Sequence, residues 1–108
     1  MASQGKPYSR VLLKLSGEGF CGPDASGIDS EHVQQVARQV QAVAEKGVQI
    51  ALVVGGGNIL RGRQFLESGS PIQRATADYM GMLGTVINAL ALGDTLNAVG
   101  CPTRVMTA

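Results

Sequence analysis

Tryptophan is absent from this chain, and phenylalanine and tyrosine together make up only 4% of its 108 residues. A protein that stacks the bases of a single strand needs aromatic faces, so that class of binder is disfavoured. Charge is also scarce, at 16% of residues with a formal net charge of +1. Without a basic excess, non-specific binding to nucleic acid has no electrostatic footing. The two cysteines, Cys21 and Cys101, have no CxxC spacing and no histidine partner pattern, and they read as ordinary reduced thiols. No apolar run approaches the ~18 residues of a membrane span, and the opening MASQGKPYSR has no apolar h-region. A soluble cytoplasmic protein with no membrane partner is the expectation.

The familiar chemical signatures are missing as well. There is no GxxxxGK[ST], which excludes a P-loop enzyme, and GGGNILRG is not the GxGxxG of dinucleotide binding. No nucleophile–histidine pair, metal-ligand cluster or close carboxylate pair is visible. The only histidine, His32, falls in the first turn of a predicted helix and reads as a surface residue.

What is present is organised around Val48 to Gly62, VQIALVVGGGNILRG. Ile50 to Val54 is an aliphatic run with the pattern of a strand buried on both faces. Gly55, Gly56 and Gly57 follow at once. Three adjacent glycines cost backbone entropy and add no packing, so they point to positive φ or to a ligand held against the main chain. Asn58 can cap a helix starting there, which would leave N–H groups facing the turn with Arg61 in the first helical turn. Such a turn suits an anion, phosphate above all.

The rest of the chain falls into place around it. Arg10 to Leu15 reads as a first strand, followed by the small-residue turn Ser16-Gly17-Glu18-Gly19. Lys14, inside that strand, either snorkels from its end or meets an anion held by the turn. Phe20 to Ile28 has no period and reads as a loop, either an exposed connector or a regulatory segment. Asp29 or Ser30 then caps an amphipathic helix whose buried face carries Val33, Val36, Ala37, Val40, Val43 and Ala44, with Gly47 as its left-handed stop. Two strands joined through one helix should be parallel neighbours, which sets SGEG and GGGN side by side at one sheet edge.

Ser70-Pro71 is read as the cap and first position of a long helix. Its buried face is expected at Tyr79, Leu83, Val86 and Leu90, with Met80, Met82 and Ile87 widening the stripe. Gly81 and Gly84 suggest a tight helix crossing, in one subunit or between two. Asp78 alone reads as a solvated helix carboxylate. Gly93-Asp94 is a candidate kink, and Thr103 to Met106 a third strand that stops at Ala108. A strand without its following loop and helix leaves apolar faces uncovered, so the chain is expected to be the front half of something longer.

KLSGE at 14–18, VVGGGNILRG at 53–62 and DYMGMLGTVINALAL at 78–92, in that order, closely resemble the amino-acid kinase family, and within it the uridylate branch. KLSGE is shared across the family; the DYMGML segment is the mark of the branch. The resemblance implies an α/β fold, an open and mainly parallel sheet with helices on both faces, of which residues 1–108 form the N-terminal part. The C-terminal nucleotide-binding half would be absent, leaving the 108-residue form with little or no turnover. The implied reaction is phosphoryl transfer from ATP to UMP, giving ADP and UDP, with Mg2+ carried by the nucleotide and no metal held by the protein itself. Lys14, Leu15, Ser16 and Gly17 would hold the ATP phosphates, with Gly57 and Arg61 beside them, and Lys14 and Arg61 would be catalytic. Gly56 and Asp78 would bind UMP. The loop Gly22, Pro23, Asp24, Ala25, Ser26 and Gly27 would be linked to activation by GTP, with UTP as a candidate inhibitor, in a homo-oligomer expected to be a hexamer. Two other readings stay open: a relative acting on a carboxylate or carbamate, and a non-catalytic fragment that binds nucleotide or only contributes an assembly surface.

Overall fold

The computed structural model of the chain describes residues 8–22, 26–60 and 69–107. Strand β1 is Arg10–Leu15 and strand β2 is Gln49–Val54. They pair in parallel, in register from Arg10 opposite Gln49 to Leu15 opposite Val54. The connection between them is helix α1, Ser30–Ala44, and helix α2, Arg74–Ala98, follows β2. This is the expected α/β arrangement, and it brings the carboxyl ends of both strands to one edge.

Alternation along the strands sorts their side chains onto two faces. Leu15, Ile50, Leu52 and Val54 pack against a core made by Phe20, Val33, Ala37 and Val40 with Leu92 and Leu96 of α2. The opposite face carries Leu12, Lys14, Ala51 and Val53, all exposed, Leu12 at 72% and Val53 at 47%. The expectation that β2 is buried on both faces is therefore corrected. Among the described residues both helices join the core on one side of the sheet, and the other side is open.

Helix α1 follows its pattern closely. Asp29 is the N-cap, its carboxylate accepting from the backbone N–H of His32 at 3.1 Å and from the His32 ring. Val33, Ala37 and Val40 are buried, while Val43 near the end of the helix is 41% exposed. Gly47 takes φ +86°, the left-handed stop that an L side chain rarely adopts. Phe20, expected in a loop, is fully buried. The turn after β1 winds into a 3-10 helix, Gly17–Phe20, which carries the ring into the core.

Helix α2 departs most from expectation. It begins at Arg74 behind Gln73, not at Ser70-Pro71; the Ser70 hydroxyl instead accepts from the Ile72 N–H at 3.2 Å, a local turn. Tyr79, Leu83 and Leu90 are 69%, 54% and 56% exposed, and the buried face is Ala77, Gly84, Asn88, Leu92, Gly93 and Leu96. A helix that is apolar nearly all round does not announce its inner side by periodicity. Here the small residues face inward because backbone must come close to them. Gly93 does not interrupt the helix. It makes room for Val105, whose Cγ2 would lie 2.5 Å from a β-carbon placed there. Residues 103–106 form no strand; Thr103 is held by the Asn97 side chain at 2.9 Å and the segment pairs with neither β1 nor β2. No helix among the described residues is long and apolar enough to cross a membrane.

The Asp29 cap gives a pH signature. Hydrogen bonds from the His32 side chain and backbone hold the Asp29 carboxyl below its ordinary value. A carboxylate with a lowered folded-state pKa contributes stability that is full above its unfolded pKa and is lost as pH falls through the folded one. Asp29→Ala should melt at a lower temperature than the parent at pH 7. That gap should shrink as pH falls below the carboxylate range, measured by thermal melts at stepped pH.

Candidate active site

The site forms where the two strands run out. Ser16 ends β1 in extended backbone and caps the 3-10 turn, its hydroxyl accepting from Glu18 N–H at 3.2 Å. From β2, Gly55 N–H donates to Leu15 C=O at 2.8 Å, so the ladder continues one residue past the strand. The glycine turn then crosses directly over the first turn. A β-carbon on Gly17 would lie 2.5 Å from Asn58 Oδ1 and 2.7 Å from Gly57 N, well inside contact distance. The two turns expected to share a sheet edge therefore do more than share it: their backbones touch.

On its other side the glycine turn lies against α2. A β-carbon on Gly56 would meet Thr85 N at 2.8 Å, the Gly84 carbonyl carbon at 2.9 Å and Gly81 O at 3.2 Å. One on Gly84 would meet Ile59 Cβ at 3.3 Å and Gly56 O at 3.4 Å. So Gly84 admits the turn that follows β2, while a β-carbon on Gly81 would meet nothing within 4 Å. A crossing helix is not their partner among the described residues.

Three backbone donors result. The N–H groups of Gly56, Gly57 and Asn58 bond no other described residue, although Gly56 and Asn58 are buried. Buried N–H groups are nearly always paired, so three in succession are candidate donors for an oxyanion. Gly57 and Asn58 form the turn itself, closed by Ile59 N–H to Gly56 O at 2.9 Å.

Lys14 lies one residue before the junction, exposed on the open sheet face opposite Val53. It is paired with no acid among the described residues, which suits an ammonium that reaches the end of its strand. Asp78 is exposed in the second turn of α2 and sits 4.0 Å from Arg74 Nε. Asp78, Gly81 and Thr85 share one helix face at i, i+3 and i+7, and Gly56 lands on Gly84 and Thr85, so Asp78 stands roughly 9–10 Å along the axis from that contact. Gly56 and Asp78 therefore border the same helix about two turns apart. Gly27 borders the turn: its N–H donates to Asn58 O at 2.8 Å, and Asn58 Nδ2 donates to Gly27 O at 2.7 Å; Gly22 lies instead against the His32 ring. Arg61, Pro23, Asp24 and Ala25 lie outside the described residues. Asn58 does not cap a helix as expected: Ile59 and Leu60 are not helical, and the Asn58 side chain bonds Gly27 and Asn88 instead.

One further residue supports the turn. Asn88, fully buried in α2, donates to Gly55 O at 2.7 Å and to Asn58 Oδ1 at 2.6 Å. Its signal was an amide inside the otherwise apolar VINALAL, where a buried polar group must have a partner.

Among solved structures, UMP kinase from Bacillus anthracis is 38% identical with a TM-score of 0.77, over 86% of this chain and 37% of that one. UMP kinase from Ureaplasma parvum is 36% identical with a TM-score of 0.72, over 85% of this chain and 39% of that one. Carbamate kinase from Giardia lamblia bound to AMP-PNP shares the fold, with a TM-score of 0.63 at 15% identity over 90% of this chain and 37% of that one. The chain spans less than half the length of each of these structures. Residues 9–108 match the amino acid kinase family from just ahead of β1 onward, and with the parallel pair and its touching turns inside that span, the chain belongs to this family.

Proposed function

We propose that this chain carries the phosphate-side half of a phosphotransferase centre that moves the γ-phosphoryl group of MgATP onto UMP. The observation that carries the proposal is the contact between Gly17 and the Gly57–Asn58 backbone, beside three N–H groups that bond nothing else described. Phosphoryl transfer asks little covalent help of a protein. It needs the attacking and leaving oxygens in line and the charge on the moving group neutralised.

In this reading an oxygen of the UMP phosphate attacks the γ-phosphorus of ATP, the bond to the ADP oxygen breaks, and UDP and ADP leave. Ser16 and Gly17 hold donor phosphates with Leu15 beneath them, and Gly57 and Arg61 flank the donor side. Gly56 presents main chain to the acceptor, and Asp78 takes the ribose hydroxyls. The Lys14 ammonium stabilises the group in transit. Mg2+ arrives with the nucleotide. The acceptor assignment is supported by 38% and 36% identity to UMP kinases, against 15% for the carbamate kinase, a likeness of fold alone. The exposed α2 stripe of Tyr79, Leu83, Ile87 and Leu90 offers a surface for a homo-oligomeric contact.

A coupled ADP-release assay on the protein at its natural length, with UMP, CMP, carbamate and aspartate in parallel, tests the acceptor. UMP should be preferred, and turnover with carbamate or aspartate alone would overturn the assignment. Lys14→Ala should lower kcat about 100-fold or more, the scale of losing one transition-state donor at ~2.7–4 kcal/mol. Asp78→Asn should mainly raise the KM for UMP, since it holds ribose and not the reacting phosphate. A change confined to the KM for ATP would remove Asp78 from the acceptor site.

A further inference from the structure

Two asparagine side chains are buried together beneath the glycine turn, Asn88 at 0% and Asn58 at 5% exposure. Their four amide N–H bonds are all used. Asn88 donates to Gly55 O at 2.7 Å and Asn58 Oδ1 at 2.6 Å, while Asn58 donates to Asn88 Oδ1 at 3.1 Å and Gly27 O at 2.7 Å. An amide pair in a core costs free energy unless fully bonded, and leucines would fill the same volume without that demand. The pair therefore has work other than packing.

That work is orientation. A trans peptide points its C=O and N–H in opposite directions, and no peptide here is cis. By drawing Gly55 C=O toward α2, Asn88 turns the Gly56 N–H the other way, and that N–H is one of the three free donors. Asn58 extends the tether outward. Its side chain and its backbone carbonyl grip the C=O and N–H of Gly27, so the loop end at 26–28 is bonded to the turn twice.

We infer that Asn88 and Asn58 are positioning residues: they aim the glycine-turn donors and couple the 26–28 loop end to them through one buried chain of amides. The inference rests on the phosphotransfer reading of the turn. Neither side chain touches the reacting groups, although the Asn58 backbone N–H is itself one of the three donors. They act through Gly55 and Gly27.

The test uses Asn88→Leu in the natural-length protein, with kinetics and residue-resolved amide exchange by NMR. The kcat should fall roughly 10-fold or more, as when a transition-state donor is misaimed, with a smaller change in the KM for ATP. Exchange of the Gly27 N–H should quicken although Asn88 does not touch Gly27, while the α2 amides of Leu92 and Leu96 keep their protection. Uniform loss of protection across the core would mean a merely structural role and overturn the inference. So would unchanged kcat with unchanged Gly27 exchange in the folded variant. Should Asn88→Leu fail to fold, Asn88→Ala removes the same amide and leaves the Asn58–Gly27 bonds in place, and the same two readouts decide. If the parent transfers phosphate to no acceptor, the functional reading falls, and Gly27 exchange still decides the tether.

Discussion

Everything in this site depends on how closely two stretches of backbone approach each other. The strands deliver their ends a normal ladder spacing apart, and Gly55 N–H to Leu15 C=O at 2.8 Å holds that spacing one step beyond the sheet. From there the turns must touch, and only a residue without a β-carbon permits it: a side chain at Gly17 would sit 2.5 Å from Asn58 Oδ1. The same constraint recurs below, where Gly56 rests on Gly84. Glycine here is a steric requirement first and a conformational freedom second, since neither Gly17 nor Gly56 takes positive φ.

The constraint explains the character of α2. A long helix usually offers its largest apolar residues to the core, yet this one turns Gly84, Asn88 and Gly93 inward and leaves Tyr79 and Leu83 outside. It serves as a floor for the glycine turn near its middle and as a seat for Val105 nearer its C-terminal end. Large side chains on that face would hold the turn away. The core proper, Phe20 with the α1 stripe and Leu92 and Leu96, lies to one side of this floor and anchors it.

Local signals were legible in the sequence wherever a residue acts on its own neighbours. The bounds of β1, the Asp29 cap, the Gly47 stop and the pairing of the two turns all follow from short patterns whose physics is short-ranged. The misreadings came where the deciding partner is distant in sequence. Tyr79, Leu83 and Leu90 have helical spacing as good as that of the true inner face. What excludes them is the turn at 55–59, some thirty residues upstream, which accepts only small neighbours. Phe20 sits in a stretch without period, and the 3-10 turn that buries it is set by Ser16. Asn88 left a trace, an amide in an apolar run, but its partners at Gly55 and Asn58 belong to another element. Ala51 and Val53 were read as buried because β-branched and aliphatic runs carry no mark of which face is covered.

The open sheet face bears on more than packing. Lys14 shares it with Leu12, Ala51 and Val53, a charged residue exposed to water among apolar neighbours. In water a unit charge ~4 Å from a phosphate oxygen is worth about 1 kcal/mol, and at an effective dielectric near 20 about four times that. Covering this apolar face would also insulate the lysine above it. In the proposed phosphotransfer, the strength of its pull on a phosphoryl group would thus be set by solvent exclusion over Leu12 and Val53.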